Sequence, residues 1–188
     1  YSAIRAVSER LGGDFGVLHV DAHADLRVAY EGFVHSHASI MHNVMTAPWR
    51  PRRLVQVGIR DFCEQEYDFI RERPEEIQTF FDRRLKSRML RGEAFAALAD
   101  EIVAALPSRV YVSFDIDGLD PTLCQGTGTP VPGGLRFDEA LELLAALHRG
   151  GKTIVGFDLN EVSGGGPPDS WTSEWDGNVG ARLLYKLC

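Results

Sequence analysis

Five side chains of metal-binding type stand at the ends of two apolar runs in this chain. Residues 17–25 read Val-Leu-His-Val-Asp-Ala-His-Ala-Asp and offer Asp21, His23 and Asp25. Residues 110–121 read Val-Tyr-Val-Ser-Phe-Asp-Ile-Asp-Gly-Leu-Asp-Pro and offer Asp115 and Asp117. Side chains two residues apart on a strand point the same way. Each run can therefore deliver its carboxylates to one point, provided the extended spacing lasts beyond the apolar residues. Sites in open parallel sheets form beyond the carboxyl ends of the strands, and two such ends side by side would gather four aspartates and a histidine. That charge repels itself strongly unless cations sit inside it. Oxygen-rich ligation with an imidazole suits manganese or magnesium better than a metal that prefers thiolate. Solvated aspartates at loop starts are the alternative for either run alone; the two together favour a metal cage.

The elements that must position these groups follow from periodicity. Ile4, Val7 and Leu11 repeat at helical spacing over residues 2–11, and Gly12 and Gly13 stop that helix. Buried strands are expected at 15–20, 53–59, 77–81, 109–114 and 153–159, and helices at 37–45, 62–73, 93–106, 137–148 and 179–187. Pro74 and Pro107 end two of the helices. Residues 121–135, with three prolines and four glycines, read as a rigid functional loop, and 163–170 as a second Gly/Pro-rich loop. Strands that are apolar throughout and alternate with helices predict an α/β fold, a mainly parallel sheet with helices on both faces.

Composition narrows the function classes. The 188 residues are 44% hydrophobic, enough for a sizeable core, and residues 1–188 are expected to form one domain. A net charge of −7 without a long block of Lys and Arg argues against a nucleic-acid surface. No apolar run approaches the roughly 20 residues that span a bilayer, and nothing resembles a signal peptide, so no membrane partner is expected. Cys63, Cys124 and Cys188 are odd in number and lack zinc spacing, which fits a reducing cytoplasm. The chain opens at Tyr1 within the first helix, without an initiator Met or a cap, and a fragment is expected.

Val-Asp-Ala-His-Ala-Asp (20–25), Ser-Phe-Asp-Ile-Asp-Gly-Leu-Asp-Pro (113–121) and Gly-Thr-Pro-Val-Pro-Gly-Gly-Leu (128–135) resemble, in order, signature motifs of the ureohydrolase family. That family comprises arginases, agmatinases, guanidino-acid hydrolases and formimidoylglutamases. The resemblance runs over nearly the whole chain and implies a three-layer α/β/α sandwich, arginase-like, lacking its N-terminal part. It implies two manganese ions held by Asp21, His23, Asp25, Asp115 and Asp117. A further family ligand, a His in a Gly-Gly-Asp-His motif, would lie upstream of Tyr1, so one site is incomplete in this chain. A metal-bridging hydroxide would attack the guanidinium carbon and release urea and an amine. His37, in Ser-His-Ala-Ser, matches a family histidine that shuttles protons, with an ordinary surface histidine as the alternative. Glu161 matches the glutamate that grips the substrate guanidinium, with a solvated loop glutamate as the alternative. Asp25 is counted with these two in the catalytic machinery as well as among the ligands. His19 is either a partner supporting Asp21 or a plain buried histidine.

Two positions bear on the substrate. Arg27 stands where many arginases carry Asn, and its Asp-Leu-Arg context is similar to formimidoylglutamases, where a cation meets a carboxylate; a structural ion pair is the alternative. Cys63 stands where arginases bear an Asp for the α-amino group, and a thiol is a poor partner for an ammonium. The stretch 175–182, Trp-Asp-Gly-Asn-Val-Gly-Ala-Arg, looks like bacterial agmatinase-type proteins. The resemblance therefore implies an agmatinase-like hydrolase of a small guanidino or amidino substrate, a homo-oligomer, with a guanidino acid or formimidoylglutamate as second choice. Outside this class stand a catalytically inactive oligomeric scaffold and a metal phosphoesterase, which would need more cations near the clusters than Arg27. Asp120 and Pro121 are expected to shape the turn after the second cluster, and Gly133 and Gly134 to allow close backbone approach. Trp171, Trp175 and Asp176 are expected at an interface or in the core, with an active-site wall as the alternative.

Overall fold

The computed structural model describes residues 1–163 and 171–188; the loop expected at 163–170 falls outside them beyond Ser163, as does the side chain of Trp171. The strands are β1 (Gly16–Val20), β2 (Arg53–Ile59), β3 (Ile77–Phe81), β4 (Arg109–Asp115) and β5 (Thr153–Asn160). They pair in parallel in the order β3-β2-β1-β4-β5. The chain moves outward from β1 to β3, then returns to place β4 on the other side of β1. The crevice between the ends of β1 and β4 is thus the switch point, where an open α/β sheet offers room for a ligand.

Around the sheet run α1 (Ser2–Leu11), α2 (Ile40–Thr46), α3 (Glu64–Arg71), α4 (Asp82–Leu90), α5 (Phe95–Ala104), α6 (Phe137–Arg149) and α7 (Trp171–Leu187). Alternation along each strand decides what packs where. Val17 of β1 joins Ile4, Met41, Val44 and Ile70 from α1, α2 and α3. Leu18 and Val20 face the opposite way, onto Leu85, Leu98, Leu143 and Leu183 from α4 to α7. Two apolar layers on one sheet make the three-layer α/β/α sandwich that the motifs implied. No described helix is long and apolar enough to cross a membrane.

The differences from the expected elements have local causes. The helix α4 is not expected from the sequence, because four of the nine residues in Asp-Arg-Arg-Leu-Lys-Ser-Arg-Met-Leu are cationic. Leu85 nevertheless turns into the core with Met89 packed against it, one helical turn apart. The closing helix begins at Trp171 rather than at 179. Gly177, Asn178 and Gly180 argue against helix by propensity, but Trp175, Val179 and Leu183 pack on the core and override it. Residues 37–45 divide into a 3-10 turn, His37–Ser39, and α2.

Candidate metal centre

Neither carboxylate cluster is built by extended chain alone. The strand β4 ends at Asp115, and Ile116–Gly118 form a 3-10 turn in which the Asp117 N–H donates to Asp115 Oδ1 at 3.0 Å. That turn, rather than strand alternation, folds Asp117 back beside Asp115. Beyond β1, His23 makes an isolated bridge with Asp61, and Asp25 adopts φ 54°. A left-handed backbone is uncommon for a residue with a side chain, and here it is held by two N–H groups of α2: those of Met41 and His42 donate to the Asp25 carbonyl at 3.0 and 3.1 Å. Glu161 just past β5 is left-handed as well, at φ 58°. Unusual backbone at two candidate site residues fits the tendency of strain to gather where function needs it.

The structure brings all five expected ligands, with Glu161, to the β1–β4 crevice. The donor atoms of Asp21, His23 and Asp117 lie within 4.8 Å of one another, as do those of Asp115, Asp117 and Glu161, and those of His19, Asp21 and Asp25. His23 Nδ1 sits 3.0 Å from Asp117 Oδ2 and 3.4 Å from Asp21 Oδ1. Asp117 is 1% exposed; its Oδ1 accepts the Ala22 N–H at 3.0 Å, whereas Oδ2 accepts no aligned hydrogen bond. His23 Nδ1 approaches it at 3.0 Å without good alignment, so this buried oxygen is poorly satisfied, and a cation would complete it. The arrangement fits a divalent ion on that ground.

The electrostatics point the same way. Burial first, then the charges of Asp21 and Asp117, push the Asp115 carboxyl up to about 10. Burial and the Asp21 charge also hold Asp25 well above the usual carboxylate range. Glu161 is raised by burial and by Asp117 and Asp21. Contacts with Asp117 and then Asp21 lift the His23 imidazole to about 11. Asp21 is the exception: burial would raise it, but His19 and the hydrogen bonds from His19 and His23 hold it below its ordinary value. So many displaced carboxyls in one crevice make it the candidate functional site.

Two adjoining cavities, of about 150 and 380 Å³, share Asp21, Asp25, His37, Asp115 and Glu161. His37 is exposed at the rim, with its ring edge-on to Tyr30 at 5.5 Å. Arg27 also lines the smaller cavity, but its Nε lies 3.7 Å from the buried Glu66 and its guanidinium covers the Tyr30 ring at 5.5 Å. Glu66 itself accepts the N–H groups of Leu26 and Cys63. Asp61, rather than Cys63, lines the mouth of this cavity. Trp175 donates from Nε1 to the Thr122 carbonyl and packs on the core, while the fully buried Asp176 accepts the Gly126 N–H at 2.7 Å. Both secure the 121–135 loop from α7.

Arg60 was missed in the sequence, where it reads as one more strand-end cation. Its Nη2 donates to the carbonyls of Asp117, Leu119 and Val131, its Nη1 to that of Gly58 and its Nε to that of Val131. The fork of a guanidinium spans these acceptors as an ammonium does not. Close approach is possible because Gly134 stands at φ 93°, where a Cβ would lie 2.5 Å from the Leu119 carbonyl oxygen. Arg60→Lys is expected to lower stability by about 2 kcal/mol, since carbonyls are left without donors; a urea melt of parent and variant checks this.

The sequence profile of the arginase family matches residues 1–187. The chain is 42% identical over 163 residues to the N(1)-aminopropylagmatine ureohydrolase of Thermus thermophilus, covering 87% of this chain and 51% of the relative. It is 38% identical over 192 residues to the mitochondrial arginase 1 of Oryza sativa, covering 100% of this chain and 51% of that protein. Among solved structures, proclavaminate amidino hydrolase from Streptomyces clavuligerus superposes with a TM-score of 0.76 at 33% identity, over 98% of this chain and 59% of that one. The chain spans about half the length of the curated relatives it matches. With the parallel sheet, the carboxylate crevice and the profile in agreement, this chain belongs to the arginase family.

Proposed function

We propose that the full-length protein is a dimanganese hydrolase that adds water to the guanidino carbon of a small linear amidine and releases urea and an amine. The observation that carries this reading is the convergence of Asp21, His23, Asp25, Asp115 and Asp117 with Glu161 around one crevice. Two divalent ions held by the first five would supply Lewis acidity and make water acidic enough to yield a nucleophile near neutral pH. Carboxylates with an imidazole suit manganese in that role.

The chain's own residues then have distinct tasks. Glu161 accepts the paired N–H donors of the guanidinium, whose positive charge offsets the burial and the repulsion that raise the Glu161 carboxyl. Asp25 would help to hold the ions from its left-handed backbone position. His37 carries a proton between solvent and the departing amine in this reading, which its exposure at the rim supports.

For the tail of the substrate, a cationic amine fits better than a carboxylate. Arg27 is already engaged by Glu66 and Tyr30, which supports the structural ion pair. Asp61 offers an exposed carboxylate at the mouth. The Thermus relative is named for aminopropylagmatine, a compound with such an amine tail. Agmatine or an N-aminopropyl derivative is therefore the preferred class, ahead of arginine, guanidinobutyrate and formimidoylglutamate. The test is turnover of all five by the full-length protein with added manganese, for the parent and Arg27→Ala. The amine-tailed substrates are expected to be turned over fastest, with KM little changed by Arg27→Ala. Fast turnover of a carboxylate substrate that Arg27→Ala abolishes would reverse the substrate choice. No turnover of any would remove the hydrolase reading in favour of an inactive scaffold.

A further inference from the structure

Beneath the crevice, the register of the sheet lines up polar side chains to which the proposed reaction gives no part. Parallel pairing sets Thr79 of β3 beside Gln56 of β2, and Gln56 beside His19 of β1. Gln56 and His19 are 0% and 2% exposed. Buried polar groups are expensive unless they are joined, and these are. Thr79 Oγ1 donates to Gln56 Oε1 at 3.0 Å. Gln56 Nε2 donates to the Ala24 carbonyl at 2.7 Å and lies 3.1 Å from His19 Nδ1. His19 Nε2 lies 2.8 Å from Asp21 Oδ2.

The direction of this chain can be worked out from its ends. The Ala24 carbonyl only accepts, so the amide atom facing it must be nitrogen, which leaves Gln56 Oε1 to accept from Thr79. The second N–H of that nitrogen then points at His19 Nδ1, which has to accept it. The ring proton therefore sits on Nε2 and is directed at Asp21. Both ring nitrogens are thereby engaged, and His19 has no lone pair left for an ion. Asp21 is gripped from two sides, since its Oδ1 accepts the His23 N–H at 2.6 Å. Each of its oxygens keeps a further lone pair for a cation.

We propose that Thr79, Gln56 and His19 form a positioning relay that holds Asp21 in ligating orientation, with His19 as a neutral Nε2–H donor and not as a ligand. Ligand orientation by outer hydrogen bonds is a general feature of metal sites. The inference rests on the reading of Asp21 as a metal ligand.

The test uses the full-length protein and manganese alone, with binding followed by the electron paramagnetic resonance of free Mn²⁺. Gln56→Leu and His19→Leu are expected to weaken binding by roughly 10- to 100-fold, and Thr79→Val by less. His19→Gln, which can return an N–H donor near the position of Nε2, should recover most of the loss. Nitrogen NMR of the parent should show His19 protonated on Nε2 and bare on Nδ1. If Gln56→Leu fails to fold, Thr79→Val, which keeps the shape, and the NMR assignment decide the matter. Parent-like affinity in folded Thr79→Val and Gln56→Leu would overturn the relay, as would magnetic coupling between manganese and the His19 ring. A parent that binds no manganese gives a different result, removing the cage reading and this inference together.

Discussion

Asp117→Asn is expected to cut urea formation by at least about 10³-fold, because several kcal/mol of charge stabilisation are lost with the ions and each 1.36 kcal/mol is tenfold. Asp117 belongs to two of the three donor groups, one with Asp21 and His23 and the other with Asp115 and Glu161. Its loss therefore weakens both ends of the cage at once. An amide nitrogen in place of Oδ2 would present N–H groups to a cation. Manganese affinity should fall by more than the roughly 10- to 100-fold that loss of an outer partner costs. The metal-free fold should lose less than the metal-bound one, because the variant gives up the His23 contact but also one of several mutually repelling carboxylates. Titration calorimetry with Mn²⁺, a urea assay and a thermal melt together check the three statements. A variant that binds two ions and turns over like the parent would end the case for Asp117 as a ligand.

The second large effect is on stability, with a sign set by the displaced groups. Asp115 and His23 are both raised, to about 10 and about 11. The metal-free folded state therefore holds protons that the unfolded chain has released, from the ordinary carboxylate range upward for Asp115 and from above about 6.5 for His23. Their contribution is fully present at low pH and is lost as pH rises towards 10 and 11. Each extra proton held costs as much as about 1.4 kcal/mol per pH unit; the partly exposed His23 adds less, because solvent screens it. Asp21 is lowered and acts only at the acid end, losing its contribution as pH falls below the carboxylate range. Metal-free protein should thus melt at lower temperature at pH 9 than at pH 6. Saturating manganese should reverse the trend, since ligation needs the protons off, and at 100 times Kd it adds about 2.7 kcal/mol. Melts across pH with chelator and with manganese test this; a chelated protein more stable at pH 9 than at pH 6 would show that the crevice does not carry these protons.

What the sequence determined by itself was the set of chemical groups and the kind of scaffold. Asp21, His23, Asp25, Asp115 and Asp117 stand out because carboxylates at the ends of apolar runs have little packing reason to be there. The runs themselves announce buried parallel strands, because both faces of each strand must be apolar between two helical layers. Tertiary structure decided how the groups meet. Strand alternation would have sufficed only if extended chain continued, but a 3-10 turn places Asp117 and a left-handed residue places Asp25. Arg60, Glu66 and Gln56 escaped notice for a related reason. Their partners are backbone groups and side chains up to 71 residues away, and no spacing along the chain encodes such contacts. Only the register of five strands converts scattered polar residues into a hydrogen-bonded support beneath one crevice. Periodicity reports which face a residue occupies, and folding alone reports which neighbour it finds there.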